Sequence, residues 1–495
     1  MSAVELYTSV LLAGTIIVAV LIALSSADDA FVDACYWLGA MWRRKDAIGG
    51  ASRGSLERLL GQPESPFAIM VPAWQEHAVI AAMVENTAAT LQYRAYRIFC
   101  GVYRNDPDTA CEVDRIALRY PGRVVRVDVP HDGPTCKADC LNHIVQRIFA
   151  EEAASGTRFA GMVLHDSEDV IHPLELKLFN ALVAQYDLVQ LPVFSLDRRR
   201  SELVAGTYID DFAEAHGKDL LVRTVLTGTV PGAGVAACYS RRALAALLRP
   251  FGGEVFNTAS LTEDYEMSFR MRELGLSQTF AHVTVHLDGF RVERVPGRTG
   301  TVVATHEFFP DGFRAAYRQR ARWVVGIAFQ GWKQLGWRGG LLDRYFLYRD
   351  RKALVMAPVG GLAYLLLANF VLVGLFGSYA VQSELEWLLS EPDLAALLVA
   401  NLGFMGNRVV QRMYFVSRYY GLAQALLAIA RMPVNNFINL FAVLRAWRLY
   451  AAHVVRGKKL AWDKTAHAYP DTVTGSPSVR TPEVSGAQPQ QAGRA

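Results

Sequence analysis

Apolar and polar positions along this chain fall into three regimes. The first is a single uncharged run, Leu6 to Leu24, long enough to cross a bilayer as a helix. Trp37, Met41 and Trp42 then precede Arg43, Arg44 and Lys45, which predicts an interfacial segment. Met1 to Tyr7 holds no Lys or Arg, so a cleaved signal peptide is disfavoured. With the basic residues after the span, the N-terminus is expected outside and the bulk of the chain in the cytoplasm.

From Pro63 the pattern shifts to short apolar runs separated by amphipathic ones. Strands are predicted at Phe67–Val71, Tyr96–Tyr103, Arg123–Val129 and Phe159–Leu164, with helices at Ala78–Leu91 and Lys137–Phe149. This alternation predicts an α/β fold with a largely parallel sheet, whose ligands bind at the carboxyl ends of the strands.

The third regime is again apolar. Ala353 to Ala380 is uncharged and predicts a span; Leu394 to Asn407 is short, and crosses if it extends to Val416 with Arg408 and Arg412 near the cytoplasmic end. Ala423–Ala430 and Phe437–Leu449 are divided by Pro433 and Asn435-Asn436, and predict helices lying at the interface. From Pro470 the Pro, Ser, Thr, Gly and Gln content predicts a disordered tail. The expected division is 1–45 (span and interfacial segment), 63–300 (α/β domain), 301–345 (amphipathic helices), 346–460 (spans and interfacial helices), 461–469 (loop) and 470–495 (tail).

Composition narrows this only slightly. At 495 residues and 52% hydrophobic, the chain fits a folded domain with a few spans attached. A net charge of +4 is too small to argue for nucleic acid. The six cysteines form no CxxC pair or Cys/His ligand set, so no zinc site is expected and reduced packing residues are.

The candidate chemistry sits at the predicted strand ends, where Glu76, Asp106, Asp166, Glu168 and Asp169 fall. Asp166-Ser167-Glu168-Asp169 suits a hard cation, Mg2+ or Mn2+, held together with a diphosphate; a solvated turn capping the helix near Pro173 is the alternative. Thr262-Glu263-Asp264 opens a predicted helix, either as an N-cap with acids in its first turn or as a base for a sugar hydroxyl. In Gln319-Arg320-Ala321-Arg322-Trp323, the guanidinium groups can grip phosphate and the indole can face a sugar ring, or the stretch is an interfacial helix.

Taken in order, Asp106, Asp166-Ser-Glu-Asp, Thr262-Glu-Asp and Gln319-Arg-Ala-Arg-Trp resemble the signature of the membrane-embedded inverting glycosyltransferases of family 2, the group of cellulose, hyaluronan and poly-N-acetylglucosamine synthases. The resemblance covers residues 65 to 330 and implies a GT-A-type, Rossmann-like cytoplasmic domain attached to transmembrane and interfacial helices. It implies that Pro72, Ala73 and Glu76 border the uracil and that Asp106 meets base or ribose. Lys137, in Lys-Ala-Asp-Cys-Leu-Asn, is placed near the diphosphate, with Arg320 and Arg322 as further donors to it. Asp264 is the implied catalytic base, and Asp166 with Glu168 or Asp169 the metal pair. Gly232-Ala233-Gly234 and the Arg241-Arg242 stretch match the loop that flanks the acceptor, with Glu263, Gln319 and Trp323 beside it. Trp462, Lys464 and Thr465 resemble the loop that gates the nucleotide.

Within the family, His165 to Leu176 and Trp462 to His467 are similar to an inner-membrane subgroup tied to phage adsorption. That likeness implies a UDP-HexNAc donor and an N-acetylmannosamine or N-acetylglucosamine polymer. It also implies export across the bilayer and a receptor or export partner in the outer membrane. Transfer of one sugar to a lipid carrier, and a degenerate transferase serving as receptor scaffold, are the competing expectations. The cyclic-di-GMP domain common in the subgroup is not expected in the tail.

Overall fold

The computed structural model describes residues 3–43, 61–248, 253–285, 302–458 and 468–470. Among the described residues nine strands form two sheets: β1 Phe67–Pro72, β2 Tyr96–Tyr103, β3 Val124–Val129, β4 Gly161–Leu164, β5 Leu188–Gln190, β6 Val193–Ser195, β7 Ala237–Ser240, β8 Gln278–Phe280 and β9 Thr305–Glu307. The main sheet runs β3-β2-β1-β4-β7-β5-β8, and β6 pairs with β9 in a second. All pairings are parallel except those of β7, which is antiparallel to both neighbours.

The central strand shows why its residues are continuously apolar. Phe67, Ile69 and Val71 enter one core, while Ala68 and Met70 enter the other. A strand covered on both faces has no solvent side to mark with polar residues. The first core is closed by helices α2 (Ile80–Thr90) and α3 (Pro107–Arg119), the second by α4 (Lys137–Ser155). The connection leaves β1 toward β2 on one side and returns to β4 on the other. This reversal opens a crevice at the carboxyl ends of β1 and β4.

Numbered with these, α1 is Ala3–Arg43, α5 Glu175–Leu182, α6 Leu203–Glu214, α7 Leu220–Thr227, α8 Arg241–Leu248 and α9 Glu263–Glu273. The amphipathic region gives α10 (Phe313–Val324) and α11 (Gly331–Leu335), and the apolar region α12 (Leu341–Phe376), α13 (Tyr379–Ser390), α14 (Pro392–Tyr420) and α15 (Leu422–Arg456). Helices α1, α12, α14 and α15 are long and apolar enough to cross a membrane.

Two differences from the sequence reading concern continuity. Helix α1 runs unbroken from Ala3 to Arg43, so the stretch around Trp37 expected at the interface continues the helix of the predicted span. Helix α15 runs unbroken through Pro433, joining two stretches expected to be separate. A proline removes one intrahelical donor, and tertiary partners offset that. Asn435 and Asn436 do not compete with the backbone either, because their amides donate to Asp211 and to the Tyr364 hydroxyl. The tail from residue 471 lies outside the described residues.

Candidate active site

The crevice deepens into a cavity of about 490 Å³. Pro72, Ala73, Trp74 and Glu76 reach it from the end of β1, Asp166 and Glu168 from the end of β4. Lys137 comes from the first turn of α4, Glu263 and Asp264 from that of α9, and Gln319, Arg322 and Trp323 from α10. Residues distant in sequence meet here because strand ends and helix starts share one edge of a parallel sheet.

Lys137 is the central cation. Its Nζ lies 2.5 Å from Asp166 Oδ1 and donates to the Gly234 carbonyl at 2.8 Å. Burial opposes its charge, but Asp166, then Glu263 and Asp264, hold its pKa above the usual lysine value. Across from it, burial pushes Glu263 up to about 7; Asp264 adds to that, and Lys137 pulls back. Asp264 is likewise raised by burial and drawn down by Lys137. A buried carboxyl pair beside one ammonium can hold or release a proton near neutrality, which is what a general base needs. The approach is close: a Cβ at Gly232 would stand 2.7 Å from the Asp264 carbonyl, so only glycine lets this loop lie against α9.

The acidic turn resolves into two roles. His165, fully buried, bridges Asp169 at 2.7 Å and Glu175 at 2.6 Å. Burial would lower its pKa, yet Glu175 and Asp169 push it up to about 10, so it stays charged. Asp169 Oδ2 also accepts the Asp166 backbone N–H at 3.1 Å. Asp169 is thereby turned into the fold, while Asp166 and Glu168 remain on the cavity wall. Of the three predicted ligands, the structure brings two to the cavity.

Other predicted residues act at one remove. Asp106 caps α3 through Thr109 N and accepts the Gln75 N–H at 2.5 Å. It thus holds the turn carrying Glu76, in which Gln75 has φ 55°, without lining the cavity. Arg320 is also off the wall: its Nη1 donates to Asn435 at 2.6 Å and Asn439 at 2.8 Å, and its Nη2 to Thr207 at 3.0 Å. It ties α10 to α15 and α6, whereas Arg322 two residues on faces the cavity. Arg241 and Arg242 pair with Glu152 and Asp187, away from the acceptor loop expected of them. Trp462, Lys464 and Thr465 lie outside the described residues.

A family model for "Glycosyltransferase like family 2" matches residues 63–326, the span that builds this cavity. The chain belongs to glycosyltransferase family 2. Its mixed α/β sheet is the GT-A, Rossmann-like fold of that family. Over 477 residues it is 41% identical to "Bacteriophage adsorption protein B" of Escherichia coli K12, and equally to "Bacteriophage N4 adsorption protein B" of Escherichia coli O157:H7. These alignments cover 94% of this chain and 63% of each relative, so the chain spans less than two thirds of their length. Among solved structures, a mannosyltransferase from Pyrobaculum calidifontis in complex with GDP-Man and Mn2+ overlaps 79% of this chain and 98% of its own, with TM-score 0.43 and 15% identity. At that distance it bears on neither substrate nor metal.

Sequence reasoning missed several groups in this family 2 site. Glu307, at the end of β9, lines the cavity and is held well above the carboxylate range by burial, then by Asp169 and Asp166. A three-residue strand carries too little periodicity to be read. Arg223 and Asp350, also on the wall, form a bidentate pair at 2.8 and 3.0 Å, and the Tyr265 hydroxyl donates to Asp350 at 2.6 Å. The signal was the charged stretch before the apolar run of α12, where a helix of the site and a helix apolar enough to cross a membrane are one element.

Proposed function

We propose that this chain is an inner-membrane enzyme that builds an amino-sugar glycan from a UDP-HexNAc donor, inverting at the anomeric carbon, and passes the product across the bilayer. The observation that carries this reading is one cavity holding the Glu263–Asp264 pair, the Lys137–Asp166 pair and the Arg322–Trp323 face together. The relatives' phage-adsorption names favour a product or partner at the cell surface, with an outer-membrane export or receptor protein as the partner.

In the proposed step, Asp264 accepts the proton of the acceptor hydroxyl. The freed oxygen bonds to the anomeric carbon as the bond from that carbon to the diphosphate oxygen breaks. Lys137 and Arg322 meet the departing diphosphate. The Nε of Arg322 has no hydrogen-bond partner among the described residues and is available to such an anion. Trp323 and Gln319 border the acceptor, with Gln319 held by the Tyr208 hydroxyl at 2.8 Å. Pro72, Ala73 and Glu76 face the nucleoside.

The carboxylates fit a divalent cation. Asp166 and Glu168 offer hard oxygen donors on one wall, and Asp166 already holds an ammonium at 2.5 Å. Mg2+ or Mn2+ held there would neutralise charge building on the diphosphate.

The test is purified protein in detergent with radiolabelled UDP-N-acetylhexosamines and Mn2+. A long polymer is expected, with Asp264→Asn slower by on the order of 10² to 10⁴. A single sugar on lipid would replace polymerisation by single transfer. Absence of product with every donor would remove the enzymatic reading.

A further inference from the structure

A second group of metal-ligating side chains lies outside the cavity. His131 precedes α4, while Asp139 and His143 stand four apart on it, so the helix presents both on one face. One ligand atom from each lies within 4.8 Å of the other two. His131 Nε2 is 2.8 Å from Asp139 Oδ2, and His143 Nε2 is 3.8 Å from Asp139 Oδ1. Tetrahedral zinc with bonds of about 2.0–2.1 Å separates its ligand atoms by roughly 3.3 Å, inside the 4.8 Å within which the three ligand atoms lie.

The surroundings suit ligation. Thr135 donates to Asp139 Oδ2 at 2.7 Å, the kind of outer hydrogen bond that orients a ligating carboxylate. The side chains are 45% (His131), 19% (Asp139) and 24% (His143) exposed, which leaves an entry path and room for water in a fourth position. Two imidazoles and a carboxylate favour borderline transition metals. The all-oxygen pair Asp166 and Glu168 favours hard ions instead.

We propose that His131, Asp139 and His143 form a binding site for a divalent ion of the zinc class, separate from the donor site. An ion there ties the segment before α4 to the helix that carries Lys137. The intervening loop backs the donor cavity: a Cβ at Gly133 would lie 2.7 Å from the Trp74 ring, and Tyr103, on the cavity wall, meets Thr135 at 2.6 Å. An Asp-x3-His spacing with a histidine from the preceding loop contains no cysteine, so a search for Cys/His ligand sets does not reveal it.

The experiment is Co2+ titration of the full chain, without a polyhistidine tag, in detergent and excess Mg2+, followed by visible absorption. Wild type is expected to bind one Co2+ with ligand-field bands that Zn2+ displaces. His131→Gln, Asp139→Asn and His143→Ala should each weaken binding at least tenfold, and Asp166→Asn should leave it unchanged. The proposal is overturned if wild type shows no such bands, or if all three variants bind as tightly as wild type. Bands lost in Asp166→Asn but kept in the histidine variants would also overturn it, placing the ion in the donor cavity.

Discussion

Glu263 and Asp264 carry two carboxylates into a buried pocket with one ammonium between them, so at least one is held protonated more firmly than in an unfolded chain. For Glu263 the folded pKa is about 7 against 4.5 unfolded. Between those values the folded state binds the extra proton, so stability falls as pH rises from 4.5 through 7 and the full cost persists above 7. Glu263→Gln removes that ionisation. The rise from 4.5 to about 7 is worth about 3 kcal/mol, so its apparent melting temperature should match wild type near pH 4.5 and exceed it by on the order of 10 °C at pH 8.5, at about 2–4 °C per kcal/mol for a domain of this size. Thermal scans across pH check this; a difference independent of pH would show that Glu263 does not titrate as described. His165 illustrates the opposite case, a charge stabilised by two buried carboxylates. It also shows what the sequence concealed. Glu168 and Asp169 are adjacent acids, and which one faces the donor is decided by a histidine upstream and by Glu175 downstream, a matter of burial rather than of motif.

At the scale of elements, the strands and the residues after them were legible because a buried parallel strand is a continuous apolar run and its carboxyl end is where polar chemistry begins. Glu76 and Asp166 are placed this way, whereas Lys137 and Asp264 stand at helix starts, where the family resemblance singles them out. The short strands β5 to β9 were not, since three or four residues give no period, and Glu307 went unseen with them. Helix α10 is legible as amphipathic, but the motif does not distinguish Arg320 from Arg322. They lie on different faces: Arg320 joins α10 to α15 and α6, and Arg322 lines the cavity. Arg320→Ala should therefore lower stability by roughly 1.5–3 kcal/mol, the range for hydrogen bonds to a charged group. Arg322→Ala should keep the wild-type melting temperature and lose turnover by on the order of 10². Melting curves and initial rates on the two variants separate the roles; the reverse pattern would exchange them.

For the whole molecule the question is which of the four long helices cross the bilayer. Asp28 and Asp29 on α1 pair with Arg349 and Lys352 on α12 at 2.6 to 3.2 Å, and Arg408 on α14 reaches Asp29 at 3.5 Å. At the far end, Tyr7 of α1 meets Asn369 of α12 at 2.6 Å. The 21 steps along the helix from Tyr7 to Asp28, at about 1.5 Å each, span roughly 32 Å, close to the hydrocarbon thickness of about 30 Å. Helices α1, α12 and α14 thus share one charged belt on the side of the sheet domain. Helix α15 behaves differently, since it touches that domain along its length. Gln424 bonds Asp197 at 2.6 Å, Arg431 grips Asp210 at 2.6 and 2.9 Å, and Tyr450 stacks on Phe329 at 4.4 Å. A helix pinned to the folded domain at residues 424, 431 and 450 has no free stretch with which to leave it. Three crossings, with α15 lying along the membrane surface on the side of the sheet domain, are therefore expected. In intact spheroplasts, a membrane-impermeant maleimide should label Ser378→Cys, between α12 and α13, and should reach Lys458→Cys only after permeabilisation. Exposed Cys111 serves as the internal control for the side on which the sheet domain lies. Labelling of Lys458→Cys from outside would make α15 a fourth crossing and would require its polar contacts with Asp197, Asp210 and Asp211 to break.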